Sequence, residues 1–270
     1  MNIEKEIINL YDKTEYSNDD RKIFDEFIEL LNYGEIRSAE YNGKEWKVNL
    51  WVKKGILVGF KMGKIVEYQL SPNYTFTDKD TYGVQTFNPN RKIRMVPGGT
   101  AVRAGAHIAN GVTIMPPAYI NTGAFVDENT MIDSHALVGS CAQVGKRVHL
   151  SASAQLGGVL EPIKAKPVII EDDVFIGGNC GIYEGIIVRK KAIIAAGVVM
   201  TSSTPIFDAV NNKFLSKTGD SLIIPEGAVV VSGSRKLKSN ADFQIYCPII
   251  IKYRDEKTDK AVELEEYLRS

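Results

Sequence analysis

Three histidines have the most versatile side chains in this sequence, because imidazole can act as a general base or bind a metal ion. His107, His135 and His149 are separated by 28 and 14 residues, a spacing that puts no two of them on an obvious shared face for zinc. His135 lies two residues after Asp133, so an imidazole and a carboxylate share one short stretch. His135 is therefore a candidate general base, and a zinc site is the alternative.

The cysteines give no sign of a disulfide or a thiolate metal site. Cys141, Cys180 and Cys247 are odd in number, lie far apart and include no CxxC pair. We expect reduced thiols, and Cys141 and Cys180 are better explained as small residues in the wall of a core.

The histidines and Asp133 lie within residues 102–200, where apolar residues repeat every six positions. Counting in sixes gives ten aliphatic positions without a miss: Val102, Ile108, Ile114, Ile120, Val126, Ile132, Val138, Val144, Leu150 and Leu156. The register is then lost, and it returns for six more positions: Ile170, Ile176, Ile182, Val188, Ile194 and Met200. Four places after most of these comes a small or medium apolar residue or threonine, such as Ala106, Val112, Ala118, Thr130 and Cys180.

Neither the helical period of 3.6 nor simple strand alternation sustains a period of six over this length, whereas a hexapeptide β-helix does. Each hexapeptide would form a short strand and a turn, and three would complete one triangular coil. The large aliphatic residue would point inward, and the smaller one would fill the corner. The pattern predicts a parallel β-helix of about five coils, stacked at about 4.8 Å. Asp133 follows an inward Ile132 and should face outward.

The composition disfavours several other classes of protein. Lysine plus arginine (33) balances aspartate plus glutamate (33), so no excess charge points to nucleic acid or a membrane surface. The longest apolar runs, such as 248–251, are much shorter than the ~20 residues that span a bilayer. The N-terminal residues lack the apolar core of a signal peptide. We therefore expect a cytoplasmic protein without membrane or nucleic-acid partners.

The residues before the repeat, 1–90, have the pattern of a small α+β domain. In chain order the pattern predicts a helix containing Ile3, Ile7 and Leu10, a helix from the capping cluster 18–20 to Gly34, strands at 46–50 and 56–60, and a connector over 71–90. Residues 91–204 then form the predicted β-helix.

The final segment, 205–270, is predicted to be a β/α cap. It contains predicted strands at 223–231 and 245–253, a turn at 232–235 and a terminal helix at 259–268. An uncovered end of the prism would expose unpaired strand edges. Covering that end is a sufficient reason for such a segment.

The break in the register, between Leu156 and Ile170, spans two hexapeptides plus two residues. It contains the loop 157–167. A regular prism has flat sides, so a loop that leaves the coil is where a concave site can form. The alternative is an insertion that the fold merely tolerates.

Several stretches go beyond the generic repeat: Arg-Met-Val-Pro (94–97), Met-Ile-Asp (131–133) and the segments 138–146, 148–151 and 157–162. Together they closely resemble the tetrahydrodipicolinate N-succinyltransferase family, acyltransferases of the succinylase branch of diaminopimelate and lysine biosynthesis. The resemblance covers residues 88–270.

The resemblance implies a left-handed parallel β-helix and a homotrimer with active sites between neighbouring prisms. It implies succinyl transfer from succinyl-CoA to the amino group of a small dicarboxylate, tetrahydrodipicolinate in its 2-amino-6-oxopimelate form, without a metal. It also implies that Arg94 and Asp133 contact this substrate. A guanidinium suits a carboxylate because it offers a planar pair of donors.

The sequence departs from the family at one catalytic position. The resemblance implies a second acidic residue in the segment after Phe-Ile-Gly (175–177), and that position falls on Gly181. Glu184 is the nearest carboxylate, so the catalytic candidates are Asp133 and Glu184.

Acyl transfer from a thioester to an amine needs a proton acceptor and donors for the oxyanion of the tetrahedral intermediate. Asp133 could be that acceptor or could anchor the amino group. The backbone amides of Gly157 and Gly158 could supply oxyanion donors. The carboxylates of the substrates need cations, for which the candidates are Arg94, Arg103, Lys164 and Lys166.

The sequence pattern does not assign the coenzyme A contacts. The available basic residues in the later coils and the cap are Lys190, Lys191, Arg235 and Lys252, and no spacing singles any of them out.

Two other functions are compatible with the pattern. One is a hexapeptide-repeat acetyltransferase acting on the same or a similar amine, with His135 as its base. The other is a non-catalytic β-helix scaffold, which Gly181 favours.

Overall fold

The computed structural model describes residues 2–240 and 242–255. Its N-terminal part contains helices and two β-hairpins, in the order α1 (Ile3–Tyr11), α2 (Asn18–Tyr33), β1 (Ala39–Tyr41), β2 (Trp46–Val48), α3 (Leu50–Met62), β3 (Ile65–Ser71) and β4 (Tyr74–Lys79). A 3₁₀ turn, Pro89–Arg91, leads into the repeat.

The first two helices form as the sequence predicts. Helix α2 begins with a capping box in which the Asp20 amide donates to Ser17 Oγ at 3.2 Å and the Ser17 amide donates to Asp20 Oδ2 at 2.9 Å. Gly34 ends the helix. The buried face of both helices consists of the apolar residues that set the predicted period, and it includes Ile7, Leu10 and Phe27.

The strand predicted at 56–60 is wrong, because these residues belong to α3. Gly55, which precedes the predicted strand, and Gly59 within it lie four residues apart on the side of α3 that packs against α2. A Cβ at Gly55 would collide with the ring of Phe27, and one at Gly59 would collide with the ring of Phe24. The glycines therefore permit close helix packing.

Two neighbouring predictions are wrong in part. The strand predicted over 46–50 ends at Val48, and Leu50 already belongs to α3. The predicted connector 71–90 includes β4, which pairs with β3 in an antiparallel hairpin.

The repeat forms two- and three-residue strands: β5 (Arg94–Met95), β6 (Ala101–Val102), β7 (His107–Ile108), β8 (Thr113–Ile114), β9 (Tyr119–Ile120), β10 (Phe125–Val126), β11 (Met131–Ile132), β12 (Leu137–Val138), β13 (Gln143–Val144), β14 (His149–Leu150), β15 (Gln155–Leu156), β16 (Ile169–Ile170), β17 (Phe175–Ile176), β18 (Gly181–Ile182), β19 (Ile186–Val188), β20 (Ile193–Ile194) and β21 (Val199–Met200). Every third strand pairs in parallel, so the chain winds around a prism with three faces.

We name the faces by their strands. The first face contains β5, β8, β11, β14, β17 and β20, the second contains β6, β9, β12, β15, β18 and β21, and the third contains β7, β10, β13, β16 and β19. The fold is a left-handed parallel β-helix preceded by an α+β region.

The burial pattern confirms the predicted interior. The sixteen aliphatic residues at the repeat positions are each at most 1% exposed, and the smaller residues four places later are each at most 5% exposed. Stacked coils thus share one continuous core, to which each coil contributes through its neighbours.

The rest of the chain forms β22 (Phe207–Asp208), β23 (Lys213–Phe214), β24 (Lys217–Thr218), β25 (Ser221–Ile224), β26 (Ala228–Val231), β27 (Ser234–Lys236), β28 (Gln244–Tyr246) and β29 (Ile249–Tyr253). Strands β25 and β26 pair in parallel with β19 and β20, so they add part of a further coil to the third and first faces.

Two strands predicted in this part are each divided in two. The strand predicted at 223–231 consists of β25 and β26 on different faces, and the one at 245–253 consists of β28 and β29. Strand β29 pairs with β26 in antiparallel orientation. The helix predicted at 259–268 lies outside the described residues.

The N-terminal part packs on the prism at several places. The hairpin β1–β2 covers the third face, where Ala39 packs against Ile169 and Ile187. Helix α3 meets the loop 157–167, because Lys53 Nζ donates to the Ala165 carbonyl at 2.9 Å. None of the helices in the described part of the chain is both long and apolar enough to cross a membrane.

Candidate active site

The first face carries an outward row of side chains that alternates with the inward aliphatic row. Parallel pairing puts five of them in register, in the order Arg94, Thr113, Met131, His149 and Phe175. Each coil advances by one strand spacing, so the row places residues that are distant in sequence side by side.

Asp133 faces outward at the end of β11, and its side chain is 30% exposed. Its Oδ1 accepts a hydrogen bond from the Ser134 amide at 2.7 Å, which fixes the carboxylate against the turn. Its other oxygen, Oδ2, lies 3.7 Å from His149 Nε2 on the next strand. One oxygen therefore holds the turn while the other faces an imidazole.

His149, not His135, is the histidine beside Asp133. Its side chain is 14% exposed and stands edge-on to the Phe175 ring, with 5.0 Å between ring centroids. The sequence contains the information that predicts this pair: His149 follows Met131 by 18 residues, one full coil, so it lies directly beside the Met131–Asp133 segment. His135 is exposed, with a φ of 62°.

Arg94 lies on the same face as Asp133. Arg94 pairs in register with Thr113, and Thr113 with Met131, so β5 and β11 are two strands apart. This separation is about 10 Å. Arg94 is exposed, and a flexible guanidinium at that distance can hold one end of a dicarboxylate whose amino group approaches Asp133.

The second face carries the other catalytic candidate. Gly181 is buried in the outward row of this face, where a Cβ would meet the Tyr183 ring at 2.7 Å. The Tyr183 hydroxyl donates to Gln155 Oε1 at 3.3 Å. Glu184 is exposed just after β18. Within one chain the structure therefore places Asp133 and Glu184 on different faces.

Two of the groups suggested for substrate and oxyanion contacts are occupied by other interactions. Arg103 forms an ion pair with Asp78, and its side chain is only 12% exposed. The Gly157 amide donates to the Ile182 carbonyl at 2.8 Å. It is therefore used in a hydrogen bond between strands and is not available to an oxyanion. Lys164 is exposed on the loop.

The four basic residues considered for coenzyme A are distributed over different parts of the chain. Lys190 and Lys191 follow β19, Arg235 lies in β27 and Lys252 in β29. Lys190 Nζ is 3.6 Å from Asp172 Oδ2, and Lys252 Nζ is 3.6 Å from Asp255 Oδ1. Two of the four therefore already face a carboxylate of the same chain.

The remaining histidine and the thiols have packing roles. His107 stacks on Phe125 with 4.5 Å between ring centroids, and its Nδ1 lies 3.0 Å from the Asn32 carbonyl oxygen of α2. Burial raises the pKa of the Cys141 thiol to about 11, which makes it a poor nucleophile. In the described ranges no three His, Cys, Asp or Glu side chains converge on a position suited to a metal ion.

A prism of hexapeptide coils with carboxylate, imidazole and guanidinium on one outward face has the architecture of the hexapeptide-repeat transferases. Residues 167–202 match the model of the hexapeptide repeat of succinyl-transferase. Residues 2–62 match the model of the tetrahydrodipicolinate N-succinyltransferase N-terminal region. The second match extends the similarity into a part of the chain for which the sequence motifs gave no family.

Three relatives establish the particular family. All three are named 2,3,4,5-tetrahydropyridine-2,6-dicarboxylate N-succinyltransferase. The chain is 41% identical over 261 residues to the one from Bradyrhizobium diazoefficiens, covering 92% of this chain and 90% of the relative. It is 43% identical to the one from Histophilus somni over 93% and 90%, and 45% identical to the one from Nitrosomonas eutropha over 90% and 87%. The chain belongs to the tetrahydrodipicolinate N-succinyltransferase family.

Proposed function

We propose that this chain transfers the succinyl group of succinyl-CoA to the amino group of tetrahydrodipicolinate, in its 2-amino-6-oxopimelate form. This reaction is a step in diaminopimelate and lysine biosynthesis. The observation that carries the proposal is the similarity to N-succinyltransferases over nine-tenths of the chain. The arrangement of Arg94, Asp133 and His149 on the first face supports it independently.

The reaction requires a C–N bond to form at the thioester carbonyl, the C–S bond to break and the amine to lose a proton. Asp133 and His149 are the groups that can accept that proton. Asp133 Oδ2 and His149 Nε2 face each other at 3.7 Å, and the carboxylate remains accessible. Either Asp133 accepts the proton, or it orients the amino group while the imidazole accepts it. Arg94 binds a carboxylate of the acceptor.

The proposed enzyme is a cytoplasmic homotrimer with its active sites between prisms. Two features support the intersubunit site. In one chain the Asp133 face is open, whereas acyl transfer is favoured in a site that excludes water. The second face, which carries Glu184, also exposes apolar side chains, including Tyr119 at 39% and Val199 at 43%. A neighbouring second face would cover the first face and bring Glu184 to the Asp133 site.

A thiol-release assay tests the reaction. The purified protein is given the amino dicarboxylate with succinyl-CoA or acetyl-CoA, and free CoA is measured over time. We expect release with succinyl-CoA and much slower release with acetyl-CoA. A preference for acetyl-CoA would make the chain an acetyltransferase, and binding of both esters without thiol release would make it a scaffold.

A mixing experiment tests the intersubunit site. Asp133→Ala and Glu184→Ala chains are assayed separately, then denatured together and refolded as mixed oligomers. If each site takes Asp133 from one chain and Glu184 from its neighbour, a random mixture restores about a quarter of wild-type activity. No recovery from two inactive variants contradicts a shared site, and full activity of Glu184→Ala alone removes Glu184 from the catalytic set.

A further inference from the structure

A cavity lies on the third face, where the hairpin β1–β2 crosses the prism. It has a volume of about 550 Å³ and lies between Arg37, Tyr41 and Trp46 of the N-terminal part and Asp127 and Glu226 of the prism. This volume is in the range of small-molecule sites. Asp133 belongs to another face, so this cavity is separate from the proposed site of proton transfer.

Arg37 is the half-buried cation of the cavity. Its guanidinium lies 3.5 Å above the Phe125 ring centroid, and its Nε donates to Gln143 Oε1 at 2.9 Å. Burial lowers the pKa of Arg37 to about 10, while Asp127, Glu40 and Asp172 act against this shift from a distance. The group is therefore charged at neutral pH.

Arg37 has no ion-pair partner within 4.0 Å in the described part of the chain. This is unusual, because a charge taken out of water is normally paired. The stacking on Phe125 and the bond to Gln143 hold the guanidinium in place without a direct ion pair to a carboxylate of the described residues. The cavity beside it is where an anionic group would complete the pairing.

The other cations of the cavity are already neutralised. Glu171 Oε1 accepts from Arg189 Nη1 at 2.6 Å and from Trp46 Nε1 at 2.9 Å, and Glu171 Oε2 accepts from the Lys190 amide at 3.1 Å. Lys190 Nζ lies 3.6 Å from Asp172 Oδ2. These contacts form the wall of the cavity.

Two carboxylates of the lining have no such partner. Asp127 and Glu226 form no ion pair within 4.0 Å with the residues that the structure describes, although Asp127 Oδ1 accepts the Glu128 amide at 2.8 Å. The lining thus presents one unpaired cation and two unpaired anions. Trp46 and Tyr41, whose ring centroids are 5.8 Å apart, add an apolar wall.

We propose that this cavity binds a small basic amino acid, with its carboxylate on Arg37 and its ammonium groups facing Asp127 and Glu226. The methylene chain of such a ligand would lie against Trp46 and Tyr41. A phosphate or a simple dicarboxylate fits less well, because its second negative charge would face the unpaired carboxylates.

Isothermal titration calorimetry with four probes tests the site. L-Lysine and L-ornithine carry the complete charge pattern, L-norleucine lacks the side-chain ammonium, and 1,5-diaminopentane lacks the carboxylate. We expect lysine or ornithine to bind at least about tenfold more tightly than norleucine or the diamine. Equal affinity for all probes, or no saturable heat with any of them, overturns the proposal.

Variants locate the binding. We expect Arg37→Gln to weaken lysine binding about tenfold or more and to remove the preference for lysine over 1,5-diaminopentane. Glu226 is exposed, so Glu226→Gln should fold normally and should reduce the preference for lysine over norleucine. Glu128→Gln, on an exposed turn outside the cavity, is the matched charge control and should bind like wild type.

Asp133→Ala separates this site from the active site. We expect this variant to keep lysine binding, whether or not it transfers succinyl groups. Lysine binding that disappears in Asp133→Ala and persists in Arg37→Gln would place the ligand on the first face and would contradict the proposal.

Discussion

The first and third faces of the prism differ in how far their charged residues are exposed to solvent. On the first face Arg94 and Asp133 are open to solvent, and the side chain of Asp133 is 30% exposed. On the third face the chain covers its own prism with the hairpin β1–β2, and Arg37 is desolvated on Phe125. The strands beneath both faces are equivalent, so the covering segment decides the environment of each outward residue.

The outward rows show this difference directly. Phe125, Gln143 and Ile169 on the third face are 8%, 1% and 1% exposed, although His107 is partly buried. On the first face Thr113 is 1% exposed, whereas His149 and Phe175 are only partly buried. On the third face, the hairpin β1–β2 of the same chain covers the prism. On the first face the described residues leave Asp133 accessible to water.

The largest expected effect is on turnover, from Asp133→Asn. The amide keeps an oxygen that can accept the Ser134 N–H but cannot take up a proton as the carboxylate does, so we expect kcat to fall about 10²- to 10⁴-fold. The thermal unfolding midpoint should stay close to that of wild type. Glu128→Gln is the control for the lost charge. Normal turnover of Asp133→Asn would contradict an active site on the first face.

A pair of phenylalanine variants tests the difference in burial between the third face and the first face. Phe125→Ala removes a buried ring beneath Arg37 and should lower the free energy of unfolding by about 3 kcal/mol. Phe175→Ala occupies the equivalent outward position on the open face and should cost roughly half as much. Chemical denaturation measures both, and equal losses would show that the hairpin does not determine the burial.

The hydrogen bond that fastens the hairpin has a smaller effect. Trp46→Phe keeps an aromatic ring but removes the indole N–H that donates to Glu171 Oε1, and should cost about 1–2 kcal/mol. Trp51→Phe is the control, since the Trp51 indole has no hydrogen bond to the described residues. A similar loss in both variants would attribute the effect to ring size.

The smallest effect concerns the corner between the two faces. Arg147 Nε donates to Asp173 Oδ1 at 2.6 Å, and this bond, with the charge of Arg147, lowers the pKa of Asp173 below its ordinary 3.8. A depressed carboxyl pKa stabilises the fold above the ordinary value, and that contribution disappears as the pH falls through the folded value.

Arg147→Gln should therefore cost less than about 1 kcal/mol at pH 7, because the pair is partly exposed. The cost should be smaller at pH 3 than at pH 7, because the contribution of the pair decreases as the pH falls below 3.8 and through the lowered pKa of Asp173. The measurement is the free energy of unfolding of both proteins at the two pH values. A cost that does not change with pH would assign the effect to packing of the arginine chain.

The repeat made much of the prism predictable. Ile132 was expected inside and Asp133 outside, and both are found there. The pattern also held information that was missed: Ile224 and Val230 continue the count in sixes and are buried in the same core. Counting by whole coils of 18 residues would likewise have put His149 beside the Met131–Asp133 segment.

The N-terminal part was less predictable because its elements depend on distant partners. Residues 56–60 have the composition of a strand, yet they form a helix because Phe24, Phe27 and Tyr82 pack against its two glycines. Local propensity could not show that packing, since Tyr82 comes from beyond the following hairpin.

By itself the sequence determined the prism, because each hexapeptide buries its aliphatic residue against the next coil, and that requirement repeats locally along the chain. Only the tertiary structure decided which outward residues are shielded from water. Arg37, two residues before the hairpin β1–β2, meets Gln143 across 106 positions of sequence. The hairpin covers one face, whereas Asp133 stays accessible on another. Burial of an outward charge depends on which segment covers it, and no local pattern specifies that.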